Sequence, residues 1–264
     1  MSLRATCGTP TLFDTRVHTV ACPIDVSRHA IAPRHLAHAT PARVAQFVTG
    51  RACARTALRA AGANGPLPVG VGEWGAPTWP PGFVGSIAHT SRIAWAAAAS
   101  TSSVHSIGID VEEIPDGRAL HAAAAVAIDA REAPVVGSSP IAIVTAFSAK
   151  ESLLKCLAPI VGERFDFTDA RIVILDPRGR FRLVVLRDLG RGLTRGLEVE
   201  GRFAVDGGVV FTFVVLERGE LRLNPAHVGC SHSRLCCSIF ATSADHPVWC
   251  DAPSPAPVSA WKYS

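Results

Sequence analysis

The chain has 264 residues, enough to bury a substantial core as one large domain or two small ones. Hydrophobic residues make up 48% and mean hydropathy is +0.26, which excludes a disordered chain. Net charge is +4, carried almost wholly by arginine, with lysine only at Lys150, Lys155 and Lys262; this suits an anionic ligand or acidic partner and is far from a nucleic-acid-binding signature.

No run approaches the ~18 apolar residues of a membrane-spanning helix. The segment from Met1 to Gly8 has neither a basic start nor an apolar stretch, so no secretory leader is expected and the cytoplasm is the default location. Cys7, Cys22, Cys53 and Cys156 share no metal-ligand spacing and read as buried thiols.

The first element predicted is a helix over Pro41–Ala61, with Thr40 as N-cap, Pro41 at the first helical position and Gly62 after its end. Val44, Phe47, Val48, Ala54, Ala57 and Leu58 recur there at helical spacing. Asn64 to Gly82 is rich in Gly and Pro and reads as a loop. Strands follow at Val84–Ala88, Ile93–Ala98 and Ser106–Val111. Ala119–Arg131 reads as a helix, and Ile141–Leu157 as a longer one stopped by Pro159.

Two hairpins are expected next. Ile172–Leu175 and Phe181–Leu186 flank a turn at Asp176–Gly179; Leu197–Val205 and Val209–Val215 flank a turn at Asp206–Gly207. The fold class is therefore α+β in two similar halves, residues 1–105 and 106–223, each a small antiparallel sheet packed with a long helix. Phe47 stands ahead of Arg51 and Arg55 much as Phe147 stands ahead of Glu151 and Lys155, as an internal duplication would leave it. Residues 224–264 are expected to be a disordered tail rich in Cys, Pro and Ser. Its Cys230, His232, Cys236, Cys237, His246 and Cys250 do not follow a standard zinc-ligand spacing.

The chemistry is concentrated in two segments. In Gly108-Ile109-Asp110-Val111-Glu112, residues two apart on a strand share a face, so Asp110 and Glu112 present neighbouring carboxylates while Glu113 points away. Adjacent carboxylates repel unless a cation sits between them, and Mg²⁺ is a hard ion that takes a few carboxylates plus waters and phosphate oxygens. An isolated pair of this kind is also what an exposed strand end with solvated acids looks like. In Phe147-Ser148-Ala149-Lys150-Glu151-Ser152-Leu153-Leu154-Lys155, Glu151 and Lys155 lie four apart on one helix face. By themselves they read as a surface ion pair; with Asp110 and Glu112, Glu151 can complete a three-carboxylate metal site and Lys155 can hold a phosphate beside it.

The ordered set G-I-D-x-E followed by F-S-x-K-E-x-x-x-K resembles the signature of the 4′-phosphopantetheinyl transferases, in particular the monomeric enterobactin and surfactin synthetase-activating type. Gly75-Ala76-Pro77-Thr78-Trp79-Pro80, Gly82 and Gly85-Ser86-Ile87-Ala88-His89 are similar to a stretch of the enterobactin-type members. Phe47, Gly50-Arg51 and Ala54-Arg55-Thr56-Ala57-Leu58 resemble their arginine-bearing helix. The resemblance runs in family order from Arg43 to Lys155. It implies the fold of that family, with a coenzyme A-binding helix and loop in the first half and the metal site and catalytic helix in the second.

The resemblance also implies roles. Asp110, Glu112 and Glu151 would bind Mg²⁺ against the pyrophosphate of coenzyme A. Arg43, Arg51 and His89 would hold the 3′-phosphate region, and Lys155 would contact the pyrophosphate. The implied reaction moves 4′-phosphopantetheine from coenzyme A to a serine of an apo acyl, peptidyl or aryl carrier protein and releases 3′,5′-ADP, with Glu151 as candidate base and Lys155 as charge stabiliser. The implied protein is monomeric and has no nucleic-acid or membrane partner. Two departures bear on phosphate affinity: Ala88 stands where the family usually has Ser or Thr, and no Lys or Arg occurs between Arg59 and Arg92. The alternatives are another Mg²⁺-dependent phosphodiester-cleaving enzyme and a non-catalytic coenzyme A- or carrier-binding module.

Overall fold

The protein is described from a computed structural model over residues 14–28, 32–72, 75–161 and 166–217. The expected tail and its Cys/His cluster lie outside the described residues. Helix α1 spans Pro41–Ala60 and begins as the sequence indicates, with Thr40 Oγ1 accepting the backbone N–H of Arg43 at 3.3 Å. Its Cys53, Ala54, Ala57 and Leu58 are buried against Ala94, Ala96 and Ala98 of strand β5, Ile93–Ser100. That alanine run lets helix and sheet approach closely, and at Gly50 a Cβ would meet Ile87 Cγ2 at 3.0 Å.

Strand β5 is the centre of a three-stranded antiparallel sheet, between β1 (His18–Pro23) and β4 (Phe83–His89). The sequence did not announce β1: it is short and ends on Pro23, and its state is set by pairing Val20 with Ala96 and Cys22 with Ala94. Within the loop predicted over residues 64–82, β2 (Gly70–Val71) pairs with β3 (Pro77–Thr78).

The second sheet has five antiparallel strands in the order β6-β10-β9-β8-β7. They are β6 (Ser106–Glu113), β7 (Ala170–Asp176), β8 (Arg180–Val185), β9 (Glu198–Asp206) and β10 (Val209–Leu216). Both expected hairpins are present, and Gly207 and Gly208 take positive φ (55° and 78°) where β9 turns into β10. The helices differ from expectation in two places. Helix α2 covers Gly117–Ala127 rather than reaching Arg131, because Ile128 is extended and the Asp129 carboxylate accepts the N–H groups of Arg131 and Glu132. A separate short helix α3, Ala133–Val136, follows. Helix α4 spans Pro140–Val161 and contains Pro159 instead of stopping before it. Proline there forfeits one hydrogen bond in the last turn, while Leu157 and Val161 stay buried in the core.

Helix α4 covers one face of the five-stranded sheet through Ala149, Leu153, Cys156 and Leu157, packed on Ile172, Phe181, Leu183 and Val214. The opposite face of β6 and β10, carrying Ile107, Ile109, Val111, Phe211 and Phe213, meets Ala88, Trp95, Ala97 and Ala99 of the first sheet. Trp95 is fully buried at this seam, edge-on to Phe211 with centroids 5.3 Å apart. The layers therefore run α1, first sheet, second sheet, α4. At the seam Ser86 Oγ of β4 accepts the N–H of Ile109 at 3.2 Å, satisfying a donor on edge strand β6.

Candidate active site

The alternation of β6 turns Gly108, Asp110 and Glu112 toward α4. Gly108 is required by that approach: a Cβ there would stand 1.8 Å from the Ser152 carbonyl oxygen and 2.7 Å from the Cys156 nitrogen. Ser106 Oγ fixes the same contact one turn along, donating to the Cys156 carbonyl at 2.6 Å. Asp110 is fully buried. Lys155 Nζ donates to its Oδ1 at 2.7 Å and Ser148 Oγ to its Oδ2 at 2.9 Å. Glu151 lies between Ser148 and Lys155 on α4 and is only 4% exposed; Glu112 is half-buried with its Oε1 shielded from solvent. Glu113 points the other way, as the pleat requires, taking Ser91 Oγ at 2.8 Å and Arg92 Nε at 3.2 Å. Burial pushes the Glu113 carboxyl up, but hydrogen bonds from Ser91, Thr90 and Arg92 outweigh it and hold it below its usual value.

Those contacts bring the end of β4, where His89 sits, beside the end of β6. His89 faces Arg43, with Nη1 and Nε2 3.2 Å apart; a guanidinium only donates, so the imidazole accepts through Nε2. Arg51 is anchored differently from expectation: its Nε donates to the Val69 carbonyl at 3.2 Å and its Nη2 to the Gly70 carbonyl at 3.0 Å. Its guanidinium lies over the Phe47 ring, 4.5 Å from the centroid. Burial, together with the neighbouring Arg43 and Arg55 charges, lowers its pKa to about 10, so it stays cationic at neutral pH. No acidic residue occurs between Asp25 and Glu73 in the sequence, so this helix face is uniformly basic.

Of the residues singled out from sequence, the structure joins Arg43 to His89 and Asp110 to Lys155, and seats Arg51 beside Arg43. It does not gather Asp110, Glu112 and Glu151 into a cage: among the described residues, no three His, Cys, Asp or Glu side chains are grouped to hold a metal ion. The donor set nevertheless fits Mg²⁺, which binds through one or two carboxylates plus waters and substrate phosphates rather than an all-protein cage. Asp110, Glu112 and Glu151 are hard oxygen donors on facing elements, two of them buried with a lysine for charge balance.

Sequence reasoning missed the support beneath Asp110. Ser148, Ser152 and Thr212 are all fully buried, with Thr212 Oγ1 2.8 Å from Ser148 Oγ and 2.6 Å from Ser152 Oγ. The signal was available in part, since two serines four apart on a helix share a face. Thr212 belongs to no motif and is brought in by the β6–β10 register, opposite Asp110. A second missed network is the ion pair of Glu132 (1% exposed) with Lys150 (4% exposed), 2.8 Å apart, which Ile172 N–H and the Phe167 carbonyl complete. Burial lowers the Lys150 pKa despite the opposing pull of Glu132.

The basic helix, the acidic strand and the Glu/Lys helix match a known family in both halves. Residues 32–99 match the 4′-phosphopantetheinyl transferase N-terminal domain, and residues 106–204 match the 4′-phosphopantetheinyl transferase superfamily. The chain belongs to that superfamily and is a 4′-phosphopantetheinyl transferase. Among its relatives, 4′-phosphopantetheinyl transferase Svp of Streptomyces mobaraensis is 35% identical over 193 residues, 69% of this chain and 76% of that protein. The transferase PptT of Mycobacterium tuberculosis is 32% identical over 192 residues, covering 69% and 82% respectively. Enterobactin synthase component D of Salmonella typhi is 35% identical over 120 residues, covering 44% and 49%. Among the described residues no helix is long and apolar enough to cross a membrane.

Proposed function

We propose that this transferase moves the 4′-phosphopantetheine arm of coenzyme A onto a serine of an apo acyl or peptidyl carrier protein, using Mg²⁺ held by Asp110, Glu112 and Glu151. The observation that carries the reading is the buried Asp110 carboxylate, clamped between Lys155 and Ser148 where β6 meets α4. A bound Mg²⁺ supplies electrostatic stabilisation of the pyrophosphate oxygens. Everything else falls to side chains. Arg43, Arg51 and His89 grip the 3′-phosphate region, Arg51 with the donors left after its two carbonyl bonds. Glu151 takes the proton of the acceptor serine as its Oγ bonds to the phosphorus bearing the pantetheine arm. The bond from that phosphorus to the bridging oxygen breaks, and 3′,5′-ADP leaves. Lys155, paired with Asp110 in the resting site, shifts toward the negative charge that develops on the leaving phosphate. In this reading coenzyme A lies across residues 1–105 and 106–223, and the enzyme acts as a monomer in the cytoplasm.

The test is incubation with coenzyme A, Mg²⁺ and apo carrier proteins, followed by intact mass of the carrier. A gain of one phosphopantetheine group is expected, and Asp110→Ala and Glu151→Gln should each abolish it with the fold intact. Undiminished transfer by either variant refutes the site assignment. Cleavage of coenzyme A with no gain on any carrier points instead to a phosphodiester-hydrolysing enzyme.

A further inference from the structure

We propose that Thr212, with Ser152 behind it, is a positioning residue that sets the orientation of Asp110 through a one-way chain of hydroxyl hydrogen bonds. The inference rests on Asp110 being a metal ligand, and the geometry supplies the rest. Asp110, ion-paired with Lys155 at Oδ1, can only accept, so Ser148 must spend its one hydroxyl proton on Oδ2. Ser148 Oγ and Thr212 Oγ1 are 2.8 Å apart, a separation that is attractive only if one proton lies between them. Since Ser148 has none left, Thr212 donates to it. Thr212 Oγ1 then has its proton committed, and the 2.6 Å contact to Ser152 Oγ makes Ser152 the donor. The chain therefore runs Ser152 to Thr212 to Ser148 to Asp110.

Alternative acceptors for the same protons are weaker choices. Thr212 Oγ1 also lies 2.9 Å from the Ser148 carbonyl, and Ser152 Oγ 3.2 Å from the Thr212 carbonyl. Taking either would leave two fully buried hydroxyl oxygens facing each other with no shared proton. Each donor in the series polarises the next, which strengthens the final bond on Asp110. Ser148 thus ties one carboxylate oxygen to the protein and leaves Oδ1, now on Lys155, as the oxygen able to exchange partners. Three elements contribute one link each or more: α4 the two serines, β10 the threonine, β6 the carboxylate.

The experiment compares Thr212→Val, which keeps shape and removes the hydroxyl, with Thr212→Ser, which restores it. Two readouts are taken: Mn²⁺ affinity of the metal-free protein in the presence of coenzyme A, by electron paramagnetic resonance, and the Mg²⁺ concentration giving half-maximal transfer. Thr212→Val should weaken both about tenfold, and Thr212→Ser should return both to within about twofold of the parent. Equal metal affinity for parent and Thr212→Val, whatever its melting temperature, overturns the proposal and leaves the triad as packing. If Thr212→Val does not fold, Ser152→Ala is measured in its place, with weaker metal binding expected and unchanged binding overturning the chain. Asp110→Ala is the control: if it binds Mn²⁺ as the parent does, the metal site itself is misassigned, an outcome distinct from an idle triad.

Discussion

Gly108 decides how near α4 can come to the acidic strand. Its missing Cβ is replaced by the Ser152 carbonyl, which an alanine methyl would meet at 1.8 Å with backbone on both sides of the clash. Overpacking a well-fitted core costs about 1–3 kcal/mol, and a clash with backbone belongs at or beyond the top of that range. Gly108→Ala should therefore lose at least ~3 kcal/mol in denaturant unfolding and most of its transfer activity. Parent-like unfolding would show that the helix can step back at no cost. Asp129 offers a pH test. Burial is the largest single influence and raises its carboxyl, but Arg171 and the N–H groups of Glu132 and Arg131 together outweigh it and hold it below the usual 3.8. A depressed folded value means the contribution is complete above 3.8 and lost as pH falls through the folded value. The melting temperature of Asp129→Ala should thus trail the parent at neutral pH and converge with it in acid; a gap that persists in acid refutes the ionic origin.

At the scale of elements, the Glu132–Lys150 pair ties the entry of α3 to α4, and its other bonds reach β7 and the turn at Phe167–Asp169. Removing one partner of a buried pair strands the other charge, at roughly 3–5 kcal/mol. Lys150→Met should cost about that much, and adding Glu132→Gln should recover part of it, because the remaining charge is then gone. A double variant no more stable than Lys150→Met would show that the amide bonds to Glu132, not the charge, do the holding. The elements also show what was readable in advance. Helix α1 was legible because Thr40, Pro41 and Gly62 mark its ends, and the β7–β8 and β9–β10 hairpins because Gly and Asp punctuate them. The acids and Lys155 were legible as spacing on a strand and a helix. Strand β1 was not, since its state depends on a partner some 75 positions away, His18 opposite Ala98 through Pro23 opposite Ile93. Nor was the anchoring of Arg51 to Val69 and Gly70, which depends on where a Gly/Pro-rich loop returns to α1. Thr212 was invisible for the same reason: only strand register sets it against Asp110.

For the molecule as a whole, the seam around Trp95 is shared core rather than an interface between independent bodies. Val17, Ala97 and Val104 lie on one side of it and Ile107, Val111 and Phe213 on the other. Trp95→Ala should cost ~3–5 kcal/mol, as large-to-small changes in a core do. It should also lower the melting of both sheets together, as a single calorimetric transition. Two separate transitions would mean that the halves hold together by other means.

Where edge strand β4 passes beside edge strand β6, a serine hydroxyl takes the Ile109 amide that a continuous ladder of main-chain bonds would otherwise use. Each sheet can then keep its own coil and strand stagger, because nothing forces the pleats of one to continue into the other. The two stretches recognised as family domains leave residues 100–105 between them, which are the last residue of β5 and the linker that steps from one sheet to the next.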